Sequence, residues 1–430
     1  MNRRSINSVM DTIGMFAIVF SFYVVGPIQS SMVVGCICFC FVCTFKTVRK
    51  EFSKLLWSRT GQSIIMGQCL LLALSLIFPA IHGTFDLSYT KSLISQAIKI
   101  ICVFFFVSCL DIREKNISYY ECLFVRIFVI QTVIQVFAFS SNSFAAIVLH
   151  FSKASELYAE YGGRRGLALS GGTGWPLAIA YALAFLFYTK NYVLSKKISL
   201  RIVFIGLMLL VGVFFSGRSA YLGILTSLLY FFLSSKRLWQ KLKTVSSFLW
   251  WLVLGTTLLA GVLYFVAGHM LDTFLNLVLP WAFEFFYKAA NTGELSTGST
   301  DVLLDMWTKV ENITFDNFLF GDGLFTDPIT KKYYHEVDIG YLRNMFFWGI
   351  FGTTGLYVMF VSMFVPLYIK AQRERRLFVF ILLLSFFILE LKAMTVLFAH
   401  LATISIIMWL LLSERMSYRS CLEGVICYYQ

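Results

Sequence analysis

Apolar residues in this chain gather in long runs, and short polar or basic segments separate one run from the next. A helix that crosses a bilayer needs about 20 predominantly apolar residues, so runs of this kind predict membrane-spanning helices. The pattern predicts an all-α polytopic membrane protein with about twelve transmembrane helices, in a single integral membrane domain that covers 1–430. The predicted spans are 10–27, 29–45, 62–82, 96–110, 122–140, 175–189, 199–215, 219–234, 247–268, 341–369, 377–391 and 393–413.

The composition agrees with this prediction and excludes an ordinary soluble enzyme. Hydrophobic residues make up 58% of the 430 residues and charged residues 14%, against roughly 45–50% and roughly 25% in soluble domains. The net charge of +13 would suggest nucleic-acid binding in a soluble protein. The positions of the Lys and Arg residues along the chain decide between nucleic-acid binding and membrane topology as the origin of this charge.

The basic residues follow the predicted topology. Of the 36 Lys and Arg residues, 23 lie at the two termini or in the loops that twelve spans place on the same side as the termini. Because short cytoplasmic loops retain Lys and Arg, this distribution predicts that both termini are cytoplasmic. The basic excess therefore indicates membrane topology, and nucleic acid is not an expected partner.

The ten cysteines lie in predicted spans or in the C-terminal tail, and none lies in a predicted outer loop. A disulfide or a zinc site on the outer face is therefore not expected. The run Cys36, Cys38, Cys40 and Cys43 is read as a set of small apolar packing residues in the second span.

Two outer segments stand out from this topology. One is 141–174, and the other, 269–340 between the ninth and tenth spans, holds 11 of the 23 acidic residues. Within the longer loop, 273–290 predicts a helix at the membrane interface and 300–315 an amphipathic helix. A transporter needs polar residues along a path through the membrane. The predicted spans offer few of these, Arg126 and His400 among them.

The shorter loop contains a pair of arginines, Arg164 and Arg165, among glycines, and Pro176 follows in the first turn of the next predicted helix. Exposed backbone N–H groups beside a guanidinium fork suit phosphate or pyrophosphate. An arginine pair that reaches to lipid headgroups beside a flexible turn is the alternative. Another arginine, Arg218, lies in a Ser-Gly-Arg-Ser hairpin between the seventh and eighth spans, where a structural role is slightly preferred.

The end of the long loop combines aromatic rings with carboxylates. Gly-Asp-Gly-Leu-Phe at 321–325 is followed by His335, Asp338, Tyr341 and Arg343, which lead into the tenth span. Aromatic faces and carboxylate oxygens are suited to binding sugars. Asp338, partly removed from water before the span, could accept a proton from a sugar hydroxyl. The alternative is that Asp338 caps a helix.

In order and topology these features resemble the O-antigen polymerase and O-antigen ligase superfamily, and the Wzy-type polymerases are the most similar branch. The likeness covers about 160–360: an arginine-rich glycine loop, the Ser-Gly-Arg-Ser hairpin, and a long outer loop that closes before a Gly-Ile-x-Gly span. The resemblance implies a GT-C-like glycosyltransferase of the bacterial inner membrane. Such an enzyme joins undecaprenyl-pyrophosphate-linked oligosaccharide repeat units in the periplasm, as part of lipopolysaccharide O-antigen biosynthesis.

The resemblance also assigns positions. Arg164 and Arg165 fit the arginine expected in the first loop, although the spacing to Gly174 is one residue short. A second arginine is expected before the helix that contains Trp307. This chain has Ser-Thr-Asp there, which leaves Arg343 as a candidate substitute.

Ligases of the superfamily commonly have a histidine near the end of this loop, where Asp338 stands here with His335 close by. The implied mechanism uses arginines to stabilise the departing pyrophosphate and Asp338 to orient or deprotonate the acceptor. The predicted catalytic residues are Asp338, Arg164 and Arg165, and the predicted substrate-binding residues are Arg218, His335, Tyr341 and Arg343.

The implied partners are the lipid-linked donor and acceptor, membrane lipids, a polysaccharide chain-length regulator and a flippase. No metal or other cofactor is expected. Two alternatives stay open: an O-antigen ligase that transfers finished polymer to lipid A-core, and a lipid-linked oligosaccharide flippase or other transporter. A flippase should have charged residues within its spans and short outer loops.

Overall fold

The chain folds mostly into α-helices with few strands, as the sequence predicts for an all-α membrane protein. The computed structural model describes residues 3–111, 115–152, 167–194, 199–217, 219–234, 241–243, 245–247, 249–250, 253–254, 257, 276, 284, 290–291, 298–309 and 313–422. The predicted ninth span and the predicted interfacial helix at 273–290 lie largely outside these residues.

The helices are α1 Arg3–Phe20, α2 Ser30–Thr44, α3 Lys46–Leu56, α4 Arg59–Ile81, α5 Ser88–Cys109, α6 Ile117–Ser140, α7 Asn142–His150, α8 Trp175–Tyr188, α9 Leu200–Ser216, α10 Ala220–Leu233, α11 Gly298–Thr308, α12 Phe315–Phe320, α13 Gly340–Ser362, α14 Val365–Lys370, α15 Arg373–Glu390 and α16 His400–Leu422. A π-helical turn, Thr189–Val193, extends α8, and a 3-10 turn spans Tyr334–Glu336. Two short strands are β1 Tyr23–Val25 and β2 Ile28–Gln29.

Several helices are long and apolar enough to cross a membrane. Within the described residues four qualify, namely Arg59–Ile81, Ser88–Cys109, Ile117–Ser140 and Gly340–Lys370, and a fifth is obtained if the bent pair α2 and α3 counts as one span. Shorter apolar helices are Ser8–Phe20, α9 and α10. The protein is therefore a membrane protein, and the count of twelve spans stays a prediction.

The chain divides into two compact units. The first consists of Met1–Ser21, Val25–Tyr120 and Val302–Gln430, and the second of Phe22–Val24 and Glu121–Asp301.

The second unit is built around α8, whose residues from Leu177 to Tyr188 are all buried. Glycines let its neighbours approach closely: Gly212 of α9 lies against Tyr181, and Gly223 of α10 lies against Ala182. The buried hydroxyl of Tyr181 donates to Gln135 Oε1 at 2.8 Å. A helix that is apolar on every side is a core helix, which explains why α8 is the centre of this unit.

In the first unit, α2 and α5 pack at close range because Gly35 leaves room for Cys102. Cys38 and Cys102 are buried, and the Cys109 thiol lies 3.6 Å from the Cys38 carbonyl oxygen. Of the four cysteines in the run, only Cys38 is buried, and Cys36, Cys40 and Cys43 are exposed. The interpretation as packing residues therefore holds for Cys38 and not for the other three.

The structure corrects three predicted helices. The first predicted span, 10–27, ends at Phe20, because a turn at Gly26 and Pro27 joins the short strands β1 and β2 there. The amphipathic helix predicted at 300–315 ends at Thr308, and a separate helix, α12, begins at Phe315. The predicted twelfth span at 393–413 begins only at His400, because residues 391–399 form a mostly buried, non-helical segment. An apolar run does not distinguish a helix from an irregular segment buried in protein.

Arg415 lies toward the C-terminal end of α16 and connects this helix to α5 and α3. Its guanidinium donates to the carbonyl oxygens of Val107 and Leu110 at the end of α5, and to Glu51 of α3 at 3.3 Å. Its neighbour Glu414 accepts from Thr60 and Lys370. These hydrogen bonds satisfy carbonyl groups that a helix end leaves without intrahelical partners.

We expect Arg415→Ala to destabilise the protein by about 3 kcal/mol, because it leaves two buried carbonyls and part of a carboxylate without a donor. The thermal unfolding midpoint in detergent measures the loss. The exposed Arg373, replaced by Ala, is the matched control and should leave the midpoint within error. Equal midpoints for the two variants would contradict a structural role for Arg415.

Candidate functional site

The centre of the candidate site is a break in α13. Gly349 has φ +65°, which interrupts the helix after its first nine residues. The turn at Gly321, with φ +74°, packs directly on this break, and the Asp322 N–H donates to the Phe346 carbonyl oxygen at 2.6 Å. A Cβ at Gly321 or Gly349 would collide with the facing backbone. The Gly-Asp-Gly-Leu-Phe segment at 321–325 therefore fits this break because glycine tolerates the left-handed backbone and has no Cβ to collide.

The first half of α13 carries a buried arginine. Arg343 is 5% exposed, and its guanidinium carbon lies 4.1 Å from the centre of the Phe325 ring and 3.6 Å from that of Tyr333. Phe398, from the buried segment 391–399, is the third ring, at 5.7 Å. The Nη2 atom of Arg343 is buried without a hydrogen-bond partner. A planar cation held between rings, with unused donors, is suited to an anionic group.

Glu390 is a fully buried carboxylate beside this arginine. Its Oε2 accepts from the backbone N–H groups of Thr395 and Val396 at 2.6 and 2.7 Å. Its Oε1 accepts from the Asn344 amide at 3.0 Å and from the Tyr357 hydroxyl at 3.2 Å. Four hydrogen bonds hold the carboxylate in place and fold segment 391–399 back onto α13. Glu390 thus fixes the surroundings of Arg343.

Asp338 stands two residues before α13. The residue keeps an exposed surface, but the protein around it removes part of the water from its carboxyl group. This desolvation raises the pKa of Asp338 above the ordinary value, and the positive charges of Arg343 and Lys392 only partly offset the increase. The N-cap of α13 is Ile339, and no side chain caps the helix. The alternative that Asp338 is a helix cap therefore finds no support in the geometry.

Asp86, in the turn between α4 and α5, holds the backbone at Phe325 and Thr326 through hydrogen bonds. Its Oδ2 accepts from the backbone N–H groups of Phe325 and Thr326, each at 2.7 Å. Its Oδ1 accepts from the N–H and the hydroxyl of Ser88. Burial favours the neutral acid, but the hydrogen bonds from Ser88 and the two amides outweigh burial and lower the pKa of Asp86. Asp86 thereby positions Phe325, one of the rings on Arg343.

A cavity of about 540 Å³ lies next to this centre. That volume is within the range of about 300–1,000 Å³ found for small-molecule sites. Its lining combines rings, carboxylates and an amide: Lys309, Ile313, Asn317, Asp322, Tyr334, His335, Glu336 and Phe346.

The 3-10 turn connects the cavity to the arginine. Tyr333 lies on Arg343, and the next three residues line the cavity. His335 and Glu336 both have positive φ, 54° and 53°, which is unfavourable for residues with a Cβ. The His335 ring packs 4.9 Å from the Phe346 ring. Backbone strain of this kind is concentrated at functional sites.

Burial raises the pKa of Asp322 above its ordinary value, and the nearby Tyr334 hydroxyl and His335 only partly offset this effect. Burial together with the charge of Asp322 raises the pKa of Tyr334 to about 12. The cavity therefore presents a neutral hydroxyl donor and a carboxyl group side by side, which suits a hydroxyl-rich ligand.

The sequence-predicted residues fall into three groups. Asp338 and Arg343 interact electrostatically, and His335 lines the adjoining cavity. The Tyr341 hydroxyl donates to the Phe387 carbonyl oxygen at 2.9 Å, so this hydroxyl is engaged in packing α13 against α15. The predicted residues Arg164, Arg165 and Arg218 lie outside the described residues.

Sequence reasoning missed Glu390, Asp86 and the ring of Phe398. Glu390 could have been found, because an ionisable residue at the end of an apolar run is itself a signal of function or of a buried partner. Asp86 and Phe398 gave no local signal, because their partners are more than fifty residues away in sequence.

We expect Asp86→Ala to destabilise the segment that contains Phe325 and Thr326 by about 2 kcal/mol, because two backbone donors lose a charged acceptor. The depressed pKa predicts the pH dependence as well. The contribution of Asp86 is present above the unfolded pKa of about 3.9 and is lost as pH falls through the lower folded pKa. Hydrogen exchange at Phe325 and Thr326 measures the effect. Asp316→Ala, on exposed α12, is the control, and equal exchange in both variants would contradict this role for Asp86.

No protein-family model, no curated protein and no solved structure matches the chain. The site must therefore be interpreted from its own geometry.

Proposed function

We propose that the protein is a membrane glycosyltransferase that joins undecaprenyl-pyrophosphate-linked oligosaccharide repeat units into polysaccharide at the periplasmic face, that is, an O-antigen polymerase. The observation that carries this proposal is the guanidinium of Arg343, buried between Phe325 and Tyr333 with an unused donor. Asp338 and Glu390 interact electrostatically with this cation, but Nη2 keeps a buried donor without a partner, which an anionic ligand can satisfy.

In the proposed reaction a hydroxyl oxygen of the acceptor saccharide attacks the anomeric carbon of the donor. The bond between that carbon and the pyrophosphate oxygen breaks, and undecaprenyl pyrophosphate leaves with the electron pair. Arg343 stabilises the charge that develops on the leaving oxygen. Asp338 accepts the proton of the attacking hydroxyl, and its raised pKa makes it a stronger base than an ordinary aspartate. Arg164, Arg165 and Arg218 remain proposed as further pyrophosphate ligands.

The cavity beside Arg343 is proposed to receive the saccharide of the acceptor. Tyr334 and Asp322 offer a donor and an acceptor for sugar hydroxyls, and the Phe346 ring offers an apolar face. His335, which lines the same cavity, is retained as a saccharide-binding residue.

The finer topology belongs to the proposal: twelve spans in the bacterial inner membrane, cytoplasmic termini and a GT-C-like arrangement. A chain-length regulator and a flippase are the proposed protein partners. Reporter fusions after residue 300 should report the periplasm, and fusions after residues 240 and 372 the cytoplasm. A cytoplasmic signal at 300 would place the site on the wrong side for a periplasmic reaction.

A specific observation favours a second candidate, a lipid-linked oligosaccharide transporter. Lys99 is 5% exposed within α5, with Gln96 fully buried one turn earlier, and Lys99 interacts electrostatically with His400. Polar groups at such positions are what a path through the membrane requires. The third candidate is the ligase, which would use the same leaving group but transfer finished polymer to lipid A-core.

The lipopolysaccharide of a deletion strain tests the proposal. Loss of a polymerase leaves core that bears a single repeat unit. Bare core with accumulated lipid-linked polymer would instead indicate a ligase, and bare core with repeat units retained on the cytoplasmic side would indicate a transporter.

A further inference from the structure

The exposed face of α3 carries a group of positive charges that the protein leaves unpaired. Lys46, Arg49 and Lys50 are all exposed. Their side chains make no hydrogen bond or ion pair within the described part of the chain, whereas Lys54 pairs with Glu51 at 2.8 Å. Spacings of three and four residues place these cations on one face of the helix.

The position of α3 follows from the helix before it. The axes of α2 and α3 meet at 111°, so α3 runs nearly perpendicular to α2. Along α2 the exposed side chains are apolar, with Ile37, Phe39 and Phe41 ending at Phe45, the last residue before α3. An exposed apolar stripe on a membrane helix faces lipid. The stripe ends at Phe45, and the next residue, Lys46, is the first residue of α3. The start of α3 therefore lies at the boundary between hydrocarbon and headgroups.

The opposite face of α3 is already occupied by the protein. Leu55 is buried, and the Phe52 ring packs 5.2 Å from the Phe105 ring of α5. Glu51, the one acidic residue of α3, is held by Arg415 and Lys54. Trp57, directly after the helix, is 71% exposed. Tryptophan at this level is typical of a membrane interface. The basic face and this ring are exposed and can reach a partner.

We propose that α3 lies along the membrane surface and binds the phosphate groups of anionic phospholipids through Lys46, Arg49 and Lys50. An anionic leaflet attracts basic side chains near its surface, and the fixed inner face keeps the three cations in place without a large entropy cost. The predicted cytoplasmic location of this loop agrees with the leaflet that such a helix would contact. The site is independent of the saccharide chemistry proposed above.

The test compares the full-length protein and two triple variants in nanodiscs that contain equal amounts of phosphatidylglycerol and phosphatidylcholine. One variant is Lys46→Gln, Arg49→Gln, Lys50→Gln. The control variant is Lys91→Gln, Lys331→Gln, Lys332→Gln, which removes the same charge from exposed positions elsewhere. Native mass spectrometry counts the phosphatidylglycerol molecules that stay bound after release from the nanodisc.

We expect the wild-type protein and the control to retain phosphatidylglycerol selectively, and the α3 variant to lose about tenfold in this selectivity. The thermal midpoint should rise with the phosphatidylglycerol fraction for the first two proteins and stay flat for the α3 variant. Equal retention and equal thermal response in all three would overturn the proposal, and would leave the basic face of α3 to solvent or to a soluble acidic protein. Because no saccharide is used, failure here is distinct from failure of the proposed function.

Discussion

Replacing Arg343 by methionine should abolish polymer formation without unfolding the protein. Methionine has a similar length and keeps the contacts with Phe325 and Tyr333, but it removes the charge. Because methionine keeps these ring contacts, we expect the thermal midpoint to fall far less than turnover does. Turnover should fall at least about 100-fold, the usual effect of removing a donor that stabilises the transition state.

Turnover and the thermal midpoint together distinguish a role of Arg343 in the reaction from a role in packing. Arg343→Lys keeps the charge but loses the planar group, so we expect partial activity at best. Arg373→Met, at the exposed start of α15, is the matched control and should keep both turnover and stability. A lower thermal midpoint for Arg343→Met, with normal turnover per folded molecule, would make Arg343 a packing residue.

Asp338→Asn should lower turnover by roughly 10²- to 10⁴-fold, the range for removal of a general base. The raised pKa also predicts how activity depends on pH. Asp338 is a base only when deprotonated, so wild-type turnover should rise with pH, with a midpoint above the ordinary value of about 3.9. The Asn variant should lose this rise. Its stability at neutral pH should not fall, because a raised carboxyl pKa contributes stability only below that pKa.

His335→Ala should be measured beside Asp338→Asn. Because His335 lines the cavity proposed for the acceptor saccharide, we expect a higher KM for the acceptor and a smaller change in kcat. A normal rate for Asp338→Asn together with an inactive His335→Ala would move the base to His335. That result would favour the ligase branch.

Much of the helical framework could be predicted from hydropathy. The predicted spans at 62–82, 199–215 and 219–234 correspond to α4, α9 and α10 within a few residues. Those helices are apolar over their whole length, so local composition determines them. The cluster around 335–343 was also predicted, because its aromatic and charged residues lie close together in sequence.

The internal geometry of the site could not be predicted in the same way. The break at Gly349 depends on its contact with Gly321, and the irregular segment 391–399 depends on Glu390 accepting its amides. The first is a contact between residues far apart in sequence, and the second is a local set of hydrogen bonds to a buried carboxylate. Both occur in largely apolar sequence, where hydropathy does not distinguish helix from irregular backbone. A sequence pattern therefore locates the residues of this site but not the fold that buries Arg343.

The most direct test of the account is turnover by the purified protein in liposomes, with the undecaprenyl-pyrophosphate-linked repeat unit of its own host as the only substrate. The account predicts a ladder of products that differ by one repeat unit, with one undecaprenyl pyrophosphate released for each bond formed, and no ladder with Arg343→Met. Movement of intact lipid-linked units across the bilayer without any new glycosidic bond would contradict it.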